Sequence, residues 1–311
     1  MAPNSDIIIV GSHAPGIFMR VKRIPRTGET VIGWDYDEPM DGGKGSNQAI
    51  AAARLGGKVS FVGCVGQDRI GVEGKRWLDE AGVNTDFLIQ SSKVPSGIGF
   101  ILLNRDGTPA MVTSMGANAE VTKADIDTAM ESNPKSRIVL TQFEIPISTA
   151  MYAMTKARRQ GKLAILNPGP ASDEPVEDLE NVSVLIPNET ESQVILGREP
   201  GEEFDPTELI KSLKLLTRVE TIIITLGQAG LIGIDAEGIW QVGANDVEVV
   251  DTSGAGDVFC AAVAVAIANG KDIRQASVWA NKAAAISVTK PGTIPTFPTE
   301  EEVERFIFSL T

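Results

Sequence analysis

A chain of 311 residues with 42% apolar and 22% charged side chains can bury a large core, and it reads as one domain with a small appendage. Its formal charge of −13 excludes a long anionic polymer such as nucleic acid as a natural partner, because no basic cluster with interleaved aromatics offsets it. No stretch is apolar enough for long enough to span a membrane, and Met1-Ala-Pro-Asn-Ser-Asp6 lacks the basic and apolar regions of a secretory leader, so a cytoplasmic enzyme is expected.

Residues 6–10 form the first of six short β-type runs, followed by 59–65, 137–140, 163–166, 182–186 and 221–225, with helical patterns between most of them. That alternation predicts an α/β fold, a mostly parallel sheet flanked by helices on both faces. Ligands in such folds lie beyond the carboxyl ends of the strands, and Asn188, Thr225 and Gly227 follow strand ends. Two segments break the alternation: 18–40, containing Gly28 and Gly33, and 97–113, containing the turn Asn104-Arg-Asp-Gly107. They read as a small β-flap, formed by about 13–41 and 96–115 within a single domain of residues 1–311, that closes over the site; ordinary edge hairpins are the plainer alternative. Cys64 and Cys260 have no metal-ligand spacing and read as small core residues. His13 is the only histidine, so a Ser-His-Asp triad or a multi-histidine metal site would have to be built around one ring.

Gly42-Gly-Lys-Gly-Ser-Asn-Gln48 opens a helix that runs to Leu55. Its glycines would let backbone approach a small polyol, and Lys44 and Asn47 offer directional hydrogen bonds to hydroxyls; a simple helix-start turn is the alternative. The segment fits neither the Walker spacing nor the dinucleotide Gly-x-Gly-x-x-Gly fingerprint.

Asp251-Thr-Ser-Gly-Ala-Gly-Asp257 is the most informative stretch. It opens a long apolar run ending at Asn269-Gly270, and its small residues let backbone amides converge at a helix N-terminus that favours an anion. Asp257, in the first turn beside those amides, is placed to take a proton from a hydroxyl attacking a phosphoryl group. The bland alternative is a carboxylate that only complements a helix dipole.

These motifs resemble the PfkB family of carbohydrate kinases, and most closely its ribokinase-like branch, nearly end to end. The carriers are Gly42-Gly-Lys-Gly-Ser-Asn47, Gly116-Ala-Asn-Ala119, Asn167-Pro-Gly-Pro170, Pro187-Asn-Glu-Thr-Glu191, Thr225-Leu-Gly227, Asp251-Thr-Ser-Gly-Ala-Gly-Asp257 and Val288-Thr-Lys-Pro-Gly292. The resemblance implies that Asp257 is the catalytic base and that Gly254, Ala255 and Gly256 form the anion hole. It implies that Asn188 and Glu191 organise Mg²⁺ and the phosphates through waters, a role that can coexist with a helix capping box. Thr225 and Gly227 match a nucleotide-contacting turn, and Asn281 falls where an adenine contact is expected. Asp251, Ser253, Ser287, Gly292 and Thr296 match positions around a K⁺ ion. Gly42, Gly43, Lys44, Asn47 and Glu144 match sugar contacts; for Glu144 a buried salt bridge is the alternative. ATP, Mg²⁺ and K⁺ are thus the implied cofactors, and a homodimer through the flap the implied assembly.

The chain departs from the family after its first strand, where Ala14 and Gly16 stand in place of an Asn and an Asp that grip the sugar. Losing a carboxylate that accepts hydroxyls removes hydrogen bonds of about 1.5–3 kcal/mol each, which argues against ribose itself. A bulkier or differently decorated acceptor is expected, contacted by His13 or Arg20; a satisfied loop histidine and a solvated flap arginine are the structural alternatives. The functional expectation is ATP-dependent phosphorylation of a primary hydroxyl of a sugar or sugar derivative. A nucleoside kinase is the alternative within the class, and a non-catalytic sugar-binding or regulatory protein the alternative outside it. A dehydrogenase is disfavoured by the missing dinucleotide fingerprint.

Overall fold

The computed structural model describes residues 5–105, 109–172 and 174–309. The chain begins with β1 (Ile7–Val10), β2 (Gly16–Val21), β3 (Gly33–Asp37), α1 (Gly43–Arg54), β4 (Val59–Gly66), α2 (Arg69–Glu80), β5 (Asn84–Ser91), β6 (Ile98–Leu103) and β7 (Pro109–Ser114). It continues with α3 (Lys123–Ser132), β8 (Ile138–Thr141), α4 (Ile147–Arg159), β9 (Leu163–Leu166), β10 (Val184–Leu185), α5 (Glu189–Ile195), α6 (Pro206–Thr217) and β11 (Thr221–Thr225). It closes with β12 (Leu231–Asp235), β13 (Gly238–Val242), α7 (Ala255–Ala268), α8 (Ile273–Ser287) and α9 (Glu300–Ser309).

The main sheet has the order β13-β12-β11-β10-β9-β8-β1-β4-β5. It is parallel from β5 to β11, and β12 and β13 run antiparallel at the far edge. All four residues of β1 are buried: Ile7 and Ile9 face a core built with α1, α2, α7, α8 and α9, while Ile8 and Val10 face α3, α4, α5 and α6. A strand covered on both faces has no polar side to show, which is why these runs read as continuous Ile and Val. The expected α/β architecture is therefore the observed one. Because β4 and β8 flank β1 and the chain reaches them in opposite directions, a crevice opens at the carboxyl end of β1.

Helix α7 lies within the first of these cores and is apolar nearly all round. In its first turn Ala255 is half-buried and Gly256 exposed, while the side chain of Asp257 points inside the protein and is buried. β5, β12 and β13 had no counterpart among the expected strands. β5 edges the sheet and reads as mixed polar sequence, while β12 and β13 form an edge hairpin, so neither carries the apolar run of a central strand. The expected run 182–186 pairs only at Val184–Leu185.

The two flap segments form a separate four-stranded sheet, β3-β2-β6-β7, with β2 and β6 parallel and the outer pairs antiparallel. The flap begins at Gly16, not near residue 13, because Ser12, His13 and Ala14 are buried in the body. Of the expected turn at 104–107, Asp106 and Gly107 lie outside the described residues.

Candidate active site

The crevice is floored by the loop after β1 and the start of α1. Gly45 packs directly on Gly11 and Ser12; a Cβ there would come within 2.6 Å of backbone carbon and oxygen atoms of those two residues. The motif's third glycine is therefore required by chain-on-chain packing, not by approach of a ligand. The amide of Ser46 donates to the Ser12 carbonyl at 2.9 Å, stitching the two segments together. Asn118 braces the same loop from the other side, accepting from the His13 amide at 2.8 Å and donating to the His13 carbonyl at 2.9 Å. That gives the Gly116–Glu120 turn a structural role.

Asp257 sits in the first turn of α7 and is 7% exposed. Its two oxygens are held separately: Asn47 Nδ2 donates to Oδ2 at 3.1 Å, and Gln48 Nε2 to Oδ1 at 3.0 Å. Gln48 in turn is fixed by Asn167, 3.3 Å away, and by Gln142. Burial pushes the Asp257 carboxyl up to about 6; the Lys44 cation and the Asn47 and Gln48 amides pull against that rise, while the Glu144 charge adds to it. A carboxylate at this value is ionised at neutral pH yet basic enough to accept a proton. Burial alone would lower the pKa of the Lys44 ammonium, but the charges of Asp257, Glu191 and Glu144 raise it above its ordinary value. Lys44 packs against Gly169, where a Cβ would lie 2.9 Å from Nζ and would also meet a Glu191 oxygen, so the cation shares that side of the crevice with Glu191.

Gly254 takes φ 74°, a left-handed conformation that glycine adopts freely, and turns the chain into α7. The Ala255 amide donates back to the Thr252 carbonyl at 3.2 Å. Among the described residues, the amides of Gly254, Gly256 and Asp257 have no protein acceptor, so these, and not that of Ala255, are the open donors at this helix start. A Cβ on Gly256 would meet nothing within 4 Å, so the space before it is clear.

Glu144, on the loop after β8, accepts from Ser12 Oγ at 2.5 Å and from the Lys44 amide at 2.9 Å, and it forms no ion pair among the described residues. It supplies the carboxylate cap that α1 lacks at Gly42. Asn188 and Glu191 make a complete capping box on α5: Asn188 Oδ1 accepts from the Glu191 amide at 2.8 Å, and Glu191 Oε2 from the Asn188 amide at 2.9 Å. One Glu191 oxygen remains, on the side of Gly169 and Lys44. This donor set fits a magnesium ion held mainly by phosphates and waters, and does not fit one caged by protein. Among the described residues no group of three or more His, Cys, Asp or Glu could hold a metal.

Thr225 bridges to Asn188, so the turn through Gly227 adjoins this end of the crevice. Asn281 Nδ2 is engaged by the Gly243 carbonyl at 2.8 Å, which ties α8 to the segment after β13. Asp251 accepts from the amides of Ser253 and Gly292, both at 2.9 Å. Burial acts to raise its pKa, but those amides hold it below the usual value. It thereby clips the loop before α7 to the segment after α8; Thr296 Oγ1 donates to the Thr293 carbonyl of that segment, and Ser287 Oγ to the Ala284 carbonyl within α8, both at 2.8 Å. Oxygen donors of this kind suit a hard cation.

The expectation that His13 or Arg20 reaches the acceptor is not met. His13 is 1% exposed, its Nδ1 lies 2.9 Å from Ser46 Oγ, and its ring packs edge-on to Trp77 at 5.9 Å and against Gly74. Burial lowers it to about 4, so it is neutral. Arg20 pairs at 3.5 Å with Asp35, both largely solvated on the flap. Sequence reasoning also missed Asp41, which accepts from Asn47 Nδ2 at 2.8 Å and from the Gly16 amide at 3.3 Å. Gln48 and Asn167 stood inside the quoted motifs without a role; only the fold brings them to Asp257.

The model of the pfkB family carbohydrate kinases matches residues 38–300. A ribokinase of Bacillus subtilis (strain 168) is 36% identical over 302 residues, covering 97% of this chain and 99% of the relative. A deoxyribokinase of Salmonella typhi is 30% identical over 303 residues, covering 97% and 98%. The solved structure of Arabidopsis thaliana ribokinase complexed with ribose and ATP superposes with a TM-score of 0.87 at 28% identity, over 98% of this chain and 99% of that one. A buried, amide-held carboxylate at an open helix N-terminus and a match over most of the chain agree: the protein belongs to the pfkB family of carbohydrate kinases and is an ATP-dependent sugar kinase.

Proposed function

We propose that the protein transfers the γ-phosphoryl group of Mg·ATP to a primary hydroxyl of a sugar or sugar derivative, with Asp257 as general base. The observation that carries this is the placement of Asp257, buried and raised to about 6, with each oxygen fixed by a separate amide beside the open N–H groups of Gly254 and Gly256. An acceptor hydroxyl in hydrogen-bond reach of Asp257 gives up its proton as its oxygen attacks the phosphorus. The two amides and Lys44 then face the charge that spreads over the transferred group. Phosphoryl transfer relies on positioning and charge stabilisation, so no covalent group on the protein is needed.

Glu144, Asn47 and the backbone at Gly42 and Gly43 hold the acceptor. Asn188 and Glu191 hold magnesium through water, and the turn at Thr225 and Gly227 takes the nucleotide, with Asn281 behind it. A magnesium ion held there would supply positive charge against the phosphates. Asp251, Ser253, Ser287, Gly292 and Thr296 would hold a potassium ion, whose charge would help order the loop that carries the open amides. The flap is the lid, and its exposed apolar residues, among them Phe100, Met111 and Val112, pair with a second copy of the chain.

The test is ADP release from Mg·ATP with a panel of sugars, sugar acids and nucleosides, in wild type and Asp257→Asn. Acceptor-dependent turnover that collapses in the variant is the expected result. Turnover in wild type that survives in Asp257→Asn would overturn the assignment of the base, and turnover confined to nucleosides would replace the sugar with a nucleoside.

A further inference from the structure

We infer that Asp41 is a specificity-determining acceptor-binding residue, whose carboxylate takes a second hydroxyl of the sugar close to the one that Asp257 deprotonates. This rests on the kinase reading above. Asp41 Oδ1 accepts from Asn47 Nδ2 at 2.8 Å, and the same nitrogen donates to Asp257 Oδ2 at 3.1 Å. One amide thus sets two carboxylates side by side, at a spacing that neighbouring hydroxyl-bearing carbons of a single polyol can bridge. Asp41 Oδ2 accepts from the Gly16 amide at 3.3 Å, so the carboxylate lies where β2 leaves the body for the flap.

Asp41 also borders the space of a missing side chain. A Cβ built on Gly16 would stand 2.9 Å from Ile101 Cδ1, 3.2 Å from Phe18 Cε2 and 3.4 Å from Asp41 Oδ2, the polar atom among these neighbours. A carboxylate lost from position 16 is therefore supplied from position 41, on a different segment, and the contact that argued against ribose is restored. Asp41 is half-buried and takes part in none of the ion pairs among the described residues. A carboxylate has about four acceptor sites, and the two amides fill only part of them. Sugar hydroxyls supply the remaining donors, and the ligand class is a polyol with at least two hydroxyls near the phosphorylated carbon.

The experiment compares wild type, Asp41→Asn and Asp41→Ala with D-ribose, D-fructose and the 1-, 2- and 3-deoxy analogues of ribose. It reads ADP release with Mg·ATP, and calorimetric binding of each sugar without nucleotide. Loss of one charge-assisted hydrogen bond raises the acceptor KM by about 10- to 100-fold, with the KM for ATP unchanged. One deoxy analogue is expected to lose that factor in wild type and to lose nothing further in Asp41→Ala, which identifies the hydroxyl. An acceptor KM unchanged in both variants overturns the inference while leaving the kinase reading intact. So does a loss equal for every analogue, because that is how a residue acting only through Asn47 or the flap hinge behaves. If wild type binds these sugars but turns none over, the calorimetric series alone decides the role of Asp41. If it binds none of them, the inference that Asp41 restores the ribose contact is overturned, while the kinase reading is judged on the wider acceptor panel.

Discussion

Replacing Asp257 by Asn is expected to abolish activity and to change stability in a direction set by pH. Folding carries this carboxyl from 3.8 to about 6. Each unit is worth about 1.4 kcal/mol, so holding the group ionised costs the folded state about 3 kcal/mol. The folded pKa is the higher one, so the penalty is absent below roughly pH 4, grows as pH rises through 6, and is complete above it. Asn keeps the shape but offers one acceptor oxygen to two donors, the amides of Asn47 and Gln48. The donor left over costs about 1–2 kcal/mol at every pH. The variant is therefore expected to be about 1–2 kcal/mol less stable than wild type at pH 4 and about 1–2 kcal/mol more stable at pH 8, the two differences together matching the charge penalty. Urea unfolding at both pH values measures this, and turnover of the same samples should fall by about 10²- to 10⁴-fold. A stability difference that is the same at both pH values would refute the buried charge on which the argument stands.

His13 has the opposite slope. Its folded value of about 4 lies below the ordinary 6.5, so its contribution is complete above pH 6.5 and is lost as pH falls toward 4, about 3 kcal/mol in all. In wild type the rise from Asp257 offsets this loss over the same window, so the His13 slope should emerge in Asp257→Asn; a flat profile there would contradict it. Asn188→Ala removes an N-cap and should cost about 1 kcal/mol in thermal unfolding, with a raised KM for Mg·ATP and an unchanged KM for the acceptor. Potassium in place of sodium should raise kcat in wild type, and Asp251→Asn should abolish that response. Sedimentation should find wild type as a dimer and Val112→Asp, on the exposed flap face, as a monomer; a monomeric wild type sinks the flap interface.

The α/β architecture and the position of the proposed base are written locally in this chain. Buried parallel strands such as Ile7–Val10 need apolar side chains on both faces, and an anion-binding helix start needs Gly254, Gly256 and Asp257 within one turn, so adjacent residues carry the signal. Tertiary structure alone decided the surroundings of that base. Asn47 reaches Asp257 across 210 positions and Gln48 across 209, and nothing in the residues between announces the pairing. The same holds for Gly45, kept small by the backbone of Ser12, and for His13, whose polar ring suggests a ligand contact until α2 closes over it at Gly74. Asp41 is the sharpest case, since its acidic side chain is ordinary in sequence and acquires meaning only where the flap hinge and α1 bring it beside Asn47 and the vacant position at Gly16. Periodicity and capping depend on neighbours a few residues away, whereas burial and long-range hydrogen bonds depend on which segments the sheet order sets side by side.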